Sequence, residues 1–367
     1  MNLVFLIGHF PPAGYGGAEL QAEGWARRLA HRHRVTVITR SDAMRPPGRE
    51  ARDGFAVLRT PVSRLRVWRA FADLEAIRRA VRTLEPRPDL LLCFQTFISG
   101  LAGTYAGRGA GIPAVVWIRG EAEYRLADSA FQRWLSPRVW TDAAGVLVQT
   151  EANRERLLAE LKRAAPARAA GVEAKLAVVG NGLDLPEPAA LPGGVRVLCV
   201  GRLIADKGVD VVIRACAARG FPLTIAGDGP ERSRLERLAA ASRGDVRFLG
   251  HLEPAALAPV YRAATAVVLA ARRGEGLPNV LLEAMAHERP VVATPCAGAR
   301  DLLVDGVNGV LVPPDDVDAV GGALAALHAD RARAARLAAA ARTTAAAHEW
   351  SRVEPRLEAA LARWGRR

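Results

Sequence analysis

The chain has 367 residues, half of them hydrophobic, and a formal net charge of +13, which is ample material for two packed domains. Lys162, Lys175 and Lys207 are its only lysines, and the rest of its 51 basic residues are arginine. The arginines are scattered beside alanines and form no basic tail, so the charge reads as coding bias and a nucleic-acid partner is not expected. A basic surface that meets anionic lipid or an acidic glycan fits better.

Met1-Asn2 leads into the apolar run LVFLIG, the first strand, with no basic segment before it, so no secretory leader is expected. The loop HFPPAGYGGAEL follows, with His9 just after the strand. Its Gly16-Gly17 pair stands at the start of a helix over Ala18–His31, whose inward positions are Leu20, Trp25 and Leu29. Adjacent glycines let backbone amides approach a phosphate or sugar closely. The loop matches neither G-x-G-x-x-G nor a P-loop, which argues against dinucleotide binding and nucleotide hydrolysis. Strands are expected at Arg34–Thr39, Phe55–Arg59, Asp89–Phe94, Ala114–Arg119 and Gly145–Thr150, with helices at Ala70–Leu84 and Glu151–Arg163. Such alternation implies a parallel sheet covered on both faces, with ligands beyond the carboxyl ends of its strands. The stretch Ser63–Arg82 interleaves arginines with Leu65, Trp68, Phe71 and Leu74; it is either an ordinary surface helix or one that docks on anionic membrane.

The Pro/Gly-rich segment LPEPAALPGG, beginning at Leu185, opens a second unit of the same kind. Its strands are expected at Val195–Val200, Pro222–Ala226, Val246–Leu249 and Ala266–Ala271, its helices at Val209–Arg219 and Glu231–Ala241. After the first of these strands, which ends at Gly201, comes RLIADKG. Arg202, Lys207 and a helix start at one sheet edge can neutralise a diphosphate. A lysine retained in a chain that otherwise avoids lysine suggests a local requirement.

Arg273–Thr294, RGEGLPNVLLEAMAHERPVVAT, is the most informative stretch. Pro278 suits the first helical position, and the helix Asn279–His287 offers free amides and a positive dipole end to an anion. Glu283 lies one turn in, and its two accepting oxygens suit a vicinal diol such as that of ribose. Glu275, in the preceding loop, can hold hydroxyls of a second ring. The tail is helical over Asp315–Leu327, Arg331–Ala347 and His348–Trp364. The last of these carries Trp350, Val353, Leu357, Leu361 and Trp364 as a packing stripe.

Four separated cysteines read as reduced thiols, and no apolar run approaches the ~20 residues of a membrane span. The expected location is the cytoplasm, with peripheral contact at the inner face of the membrane left open. No metal is expected: there is no His/Cys cluster, and Asp316-Val317-Asp318 reads as a helix cap.

PPAGYGGAE, VVGNGLD, VGRLIADKG, IAGDGPER, VRFLGHL, EGLPNVLLEAMAHERPVVAT and DGVNGVLVPPDD span nearly the whole chain. In that order they resemble the family 4 glycosyltransferases, retaining enzymes of the GT-B fold, and Glu275…Glu283 matches their E-x7-E motif. The resemblance implies an α/β architecture of two doubly wound Rossmann-like domains facing across a cleft. An acceptor-binding domain would span 1–184, a nucleotide-sugar-binding domain 185–347, and a helix over 348–367 would cross back onto the first. It implies a UDP- or GDP-sugar donor, no cofactor, a glycan or lipid-linked acceptor, and a setting in cell-envelope or polysaccharide biosynthesis.

Residue by residue, it implies that Glu283 binds the ribose, and that Arg202 and Lys207, beside Gly201, stabilise the departing diphosphate. Glu275 and the backbone of Gly276, Leu277, Pro278 and Asn279 would orient the sugar. Gly16 and Gly17 would approach the diphosphate, and backbone around Gly250 and His251 would meet the base. Front-face attack is the implied mechanism. Two departures stand out. Relatives carry His-Gly where this chain has Arg119-Gly120, so Arg119 either contacts a sugar hydroxyl or an acidic group of the substrate, or pairs with Glu121 or Glu123. His9 is the candidate substitute for the missing histidine. Where relatives show Gly-Gly-x-x-Glu after PVVAT, this chain has Cys296-Ala297-Gly298-Ala299-Arg300-Asp301. The alternatives left open are a nucleotide-sugar 2-epimerase of the same fold and a non-catalytic sugar-nucleotide-binding protein.

Overall fold

Short apolar runs bounded by glycine and proline form the strands, and the alanine- and arginine-rich stretches between them form the helices. The computed structural model describes all residues except 13–15, 43–44, 63–68, 274–275 and 366–367. The chain divides into two units, Met1–Gly182 together with Ser351–Arg367, and Leu183–Trp350.

The first unit is built on β1 (Asn2–Leu6), β2 (Arg34–Arg40), β3 (Gly48–Arg52), β4 (Phe55–Thr60), β5 (Leu90–Phe94), β6 (Ala114–Trp117), β7 (Gly145–Val148) and β8 (Leu176–Val178). Their order in the sheet is β3-β4-β2-β1-β5-β6-β7-β8. Every pairing is parallel except β3 with β4. That antiparallel edge, GREAR, departs from the all-parallel expectation; it has no apolar run to announce it, and its charges suit an exposed edge. The inner strands are apolar without alternation, because helices cover both faces: all of β5, LLLCF, is buried. Those helices are α1 (Gly17–Leu29), α2 (Arg69–Thr83), α3 (Leu101–Ala110), α4 (Ala130–Asp142), α5 (Glu151–Ala164) and α6 (Pro166–Glu173). Trp25 and Leu29 of α1 are fully buried, whereas Leu20 is only partly so.

The second unit has β9 (Val197–Val200), β10 (Leu223–Ala226), β11 (Val246–Gly250), β12 (Ala266–Leu269), β13 (Val291–Ala293) and β14 (Val310–Leu311), in the order β11-β10-β9-β12-β13-β14 and all parallel. Its helices are α7 (Val209–Arg219), α8 (Arg232–Ala241), α9 (Pro254–Ala263), α10 (Asn279–Ala286), α11 (Ala297–Leu302), α12 (Val317–Ala329) and α13 (Arg331–Ala346).

The last helix, α14 (Trp350–Trp364), returns the chain to the first unit. Val353, Leu357 and Leu361 are buried, Glu358 meets His33 at 2.9 Å, and Arg363 donates to the Ala174 carbonyl at 2.7 Å. Among the described residues, no helix is long and apolar enough to cross a membrane.

Candidate functional site

In the second unit the order of strands reverses between β9 and β12, which opens a crevice at their carboxyl ends. From β9 the chain passes through Gly201 and the exposed Arg202 into a tight turn, Ala205–Lys207, and then α7. Gly208 ends the turn at φ 62°, and a β-carbon there would lie 2.0 Å from the Ala270 carbonyl oxygen, so the turn is pressed onto the end of β12. Only glycine meets both conditions. Lys207 is partly buried on that turn.

A residue that the sequence reading passed over holds this arrangement. Arg272, beyond β12, grips Asp210 of α7 with two hydrogen bonds of 2.9 and 3.0 Å. It also donates to the Ala205 carbonyl at 2.6 Å and to Asp315 at 2.6 Å, while its backbone N–H reaches the Asp206 carbonyl at 2.7 Å. The hydrogen bonding it donates to Asp210 raises the Arg272 pKa above its ordinary value. Burial works to raise the Asp210 carboxyl, but the hydrogen bonds and charge of Arg272 outweigh it and the net shift is downward. The stretch expected to carry the site starts at Arg273, one residue after it. The available signal was a pair of arginines ending an apolar strand, with an aspartate in the first turn of a preceding helix.

The loop leading to α10 includes Gly274 and Glu275, which lie outside the described residues. Gly276 and Pro278 follow, with Leu277 buried. Pro278 is the residue before the helix, at φ −73° and ψ 113°, and α10 begins at Asn279 and ends at Ala286, slightly inside the expected range. Gly298 of α11 backs this loop: a β-carbon there would lie 1.5 Å from the Gly276 carbonyl oxygen. The variant sequence after PVVAT therefore keeps a glycine where the loop needs one.

Glu283 accepts a 2.7 Å hydrogen bond from the hydroxyl of Tyr261 of α9, which is buried and stacked on His287 at 5.3 Å. Desolvation pushes the Glu283 carboxyl up to about 7, against the opposing pull of the Tyr261 hydroxyl. Burial, with help from Arg262, Arg289 and Arg342, brings His287 down to about 4. Nothing in the sequence pointed to Tyr261, which is 22 residues from its partner. At the end of β11, Gly250 takes φ 73° and its carbonyl accepts from Gly227 N–H at 2.7 Å; the exposed His251 follows.

In the first unit, Gly16 precedes α1 and Gly17 opens it, with the Glu19 carboxylate folded back against Gly16. His9 is exposed beyond β1. Arg119 follows β6 and is buried, its Nη2 donating to Asn181 Oδ1 at 2.7 Å. Glu123 does not clasp the guanidinium through a hydrogen bond. Its carboxylate accepts instead from the backbone N–H groups of Arg119, Gly120 and Thr96 at 2.7, 3.0 and 2.5 Å, which ties the ends of β5 and β6 together.

The Asp316 side chain accepts from Ala319 N–H at 2.8 Å and caps α12. Among the described residues no group of three or more His, Cys, Asp or Glu side chains converges to hold a metal. Part of the proposed membrane-docking stretch, Ser63–Trp68, lies outside the described residues, while Phe71 of α2 is exposed.

Comparison with known proteins places this geometry. Residues 16–182 match a family described as "Glycosyl transferase 4-like domain", and residues 194–330 match "Glycosyl transferases group 1". The chain is 31% identical to alpha-D-kanosaminyltransferase of Streptomyces kanamyceticus, over 59% of this chain and 62% of that one. It is 28% identical to a GDP-mannose-dependent alpha-(1-6)-phosphatidylinositol monomannoside mannosyltransferase of Mycolicibacterium smegmatis, over 93% of this chain and 92% of that one. Several other curated relatives are matched over less than two thirds of their own length, down to 20%. Among solved structures, Anabaena HepE in complex with UDP-glucose superposes with a TM-score of 0.79 at 19% identity, covering 99% of both chains. Two Rossmann-like units of the GT-B fold, and two matched regions in the order that sequence motifs required, have one reading: the chain belongs to the family 4 (group 1) glycosyltransferases.

Proposed function

We propose that the chain is a retaining hexosyltransferase that moves a sugar from a nucleoside diphosphate donor to a glycan or lipid-linked acceptor in cell-envelope or polysaccharide biosynthesis. The observation that carries this reading is the pairing of Lys207 and Glu283 on elements that follow adjacent strands, β9 and β12, with the lysine turn locked by Arg272. A cation for the diphosphate and a carboxylate for the ribose diol then face one crevice end. UDP-glucose in HepE and the GDP-mannose dependence of the mycobacterial relative support a UDP- or GDP-sugar donor.

In this reading the second unit binds the donor and the first the acceptor. Glu283 accepts the ribose hydroxyls. Arg202, Lys207 and the amides at the start of α7 take up the charge that develops on the leaving diphosphate, the main contribution to lowering the barrier. The backbone of Gly276–Asn279 and Glu275 orient the sugar, the amides of Gly16 and Gly17 approach the diphosphate, and backbone at Gly250 and His251 meets the base. The acceptor attacks from the face the diphosphate leaves, and a diphosphate oxygen receives its proton. The anomeric configuration is thereby retained. The protein acts in the cytoplasm, and the exposed Phe71, Arg79 and Arg82 of α2 suit peripheral contact with anionic lipid.

The test is to supply UDP- and GDP-hexoses with candidate glycan acceptors and to read the product's anomeric proton by NMR. Transfer with the donor's anomeric configuration supports the reading. An inverted product contradicts the retaining mechanism, and epimerised free donor contradicts the transferase.

A further inference from the structure

Arg119 is only 7% exposed, yet its Nε and Nη1 have no hydrogen-bond partner among the described residues. Among the described residues its guanidinium donates only from Nη2, to Asn181, whose oxygen also accepts from Gln149 at 2.8 Å. Its guanidinium lies 4.8 Å from the Trp117 ring centroid and 5.9 Å from that of Phe94. Those rings belong to a buried cluster of tilted aromatic rings, with Trp25 5.6 Å from Trp117 and Phe94 5.4 Å from Trp117. The head group thus lies over an apolar floor with donors left over.

A buried cation is normally paired. Two carboxylates act on Arg119 through space, and neither bonds its Nε or Nη1. Glu123 is taken by three backbone N–H groups, and Glu19 is folded against Gly16. Burial lowers the Arg119 pKa to about 10, which still leaves it charged at neutral pH. Cation–π attraction offsets part of the desolvation but offers nothing to the N–H donors. The position matters as well. Arg119 stands beyond the carboxyl end of β6, beside β5, where the chain continues through Gln95 and Ile98 at φ 83° and 53°. A β-branched residue with positive φ is strained, and strain of this kind gathers at binding sites.

We propose that Arg119 is the specificity-determining residue for an acidic sugar substrate, taking on Nε and Nη1 a carboxylate or phosphate group carried by that sugar. The inference deepens the transferase reading and rests on it: where the family resemblance implies a histidine, this chain has a charged fork that lacks its anion. A neutral hydroxyl would meet one donor and leave the buried charge uncompensated. A uronate or sugar phosphate meets both needs, and a planar guanidinium is the group best shaped for either.

The full-length protein is titrated with glucuronate, glucose 6-phosphate and glucose, followed by ligand-observed NMR, and the series is repeated with Arg119→Gln and Arg119→Met. At least one acidic sugar should bind tenfold or more tightly than glucose, the glucuronate and phosphate arms telling which oxyanion is read. Both substitutions should abolish that preference, and Arg119→Met should melt no lower than wild type, because it removes an unpaired buried charge. A purely structural arginine predicts a lower melting temperature and no acid preference in the wild type. Glucose bound as tightly as both acidic sugars, or no sugar bound at all, overturns the proposal even where a variant fails to fold. A parallel titration of wild type with UDP and GDP judges the donor reading separately.

Discussion

Each unit places a cation beyond the carboxyl ends of parallel strands, but the two cations are held in different ways. In the second unit Lys207 rides on a turn whose position is set by other charges, with Arg272 gripping Asp210, Asp315 and the Ala205 carbonyl. In the first unit the cation itself is buried: Arg119 rests on Trp117 and Phe94 with donors unspent. The difference separates two routes to preorganisation. An ion pair beside the proposed donor site leaves Lys207 adaptable, as would suit a diphosphate whose charge changes during reaction. Burial within the site fixes Arg119 in one pose, as suits recognition of a group that does not change.

The contrast breaks most visibly if Arg272 is removed. Arg272→Ala leaves Asp210 without its bidentate partner, and the unfolding free energy should fall by about 2–4 kcal/mol in a urea titration. Arg272→Lys should recover only part of this, since a point charge cannot replace the fork. Next in size, Lys207→Ala should weaken nucleoside diphosphate binding by about 10–100-fold with little change in melting temperature, the value of a charge-assisted contact. Tyr261→Phe removes the hydroxyl that Glu283 accepts and should lower stability by about 1 kcal/mol.

The smallest effect is a pH dependence. Because burial raises Glu283 to about 7, the carboxylate that would accept ribose hydroxyls is lost on mild acidification. Nucleotide affinity should decline as pH falls from about 8 to 6, and Glu283→Gln should bind weakly without that additional dependence. The sign for stability is opposite. A carboxyl whose folded pKa is raised from 4.5 contributes stability below that value, and the contribution is lost as pH rises through about 7.

Much of the fold of the second unit was legible in the sequence, and its proposed donor site was read there from local patterns. The glycines of the turns, the lysine kept at Lys207 and the glutamate one turn into α10 each carry a meaning within a few residues. What could not be read were partnerships across long separations. Arg272 meets Asp210 because β9 and β12, far apart in sequence, are neighbours in the sheet, and Tyr261 meets Glu283 because the helices before and after β12 pack together. The edge strand β3 escaped because a charged, exposed strand has no apolar run. Helices α3, α4 and α9 escaped as well; glycines in α3 and internal prolines in α4 and α9 blur their periodicity. In the first unit Arg119 stood out as a departure from a motif, but its burial, its aromatic floor and the diversion of Glu123 to backbone amides are facts of packing that no spacing conveys.

The most direct test of the account is calorimetric titration of the full-length chain with UDP and GDP at pH 8 without metal, beside Lys207→Ala and Glu283→Gln. The account predicts that one diphosphate binds and that each substitution weakens it at least tenfold. Failure of folded wild type to bind either nucleotide, or binding that both substitutions leave unchanged, would contradict the assignment of the β9–β12 crevice as the donor site.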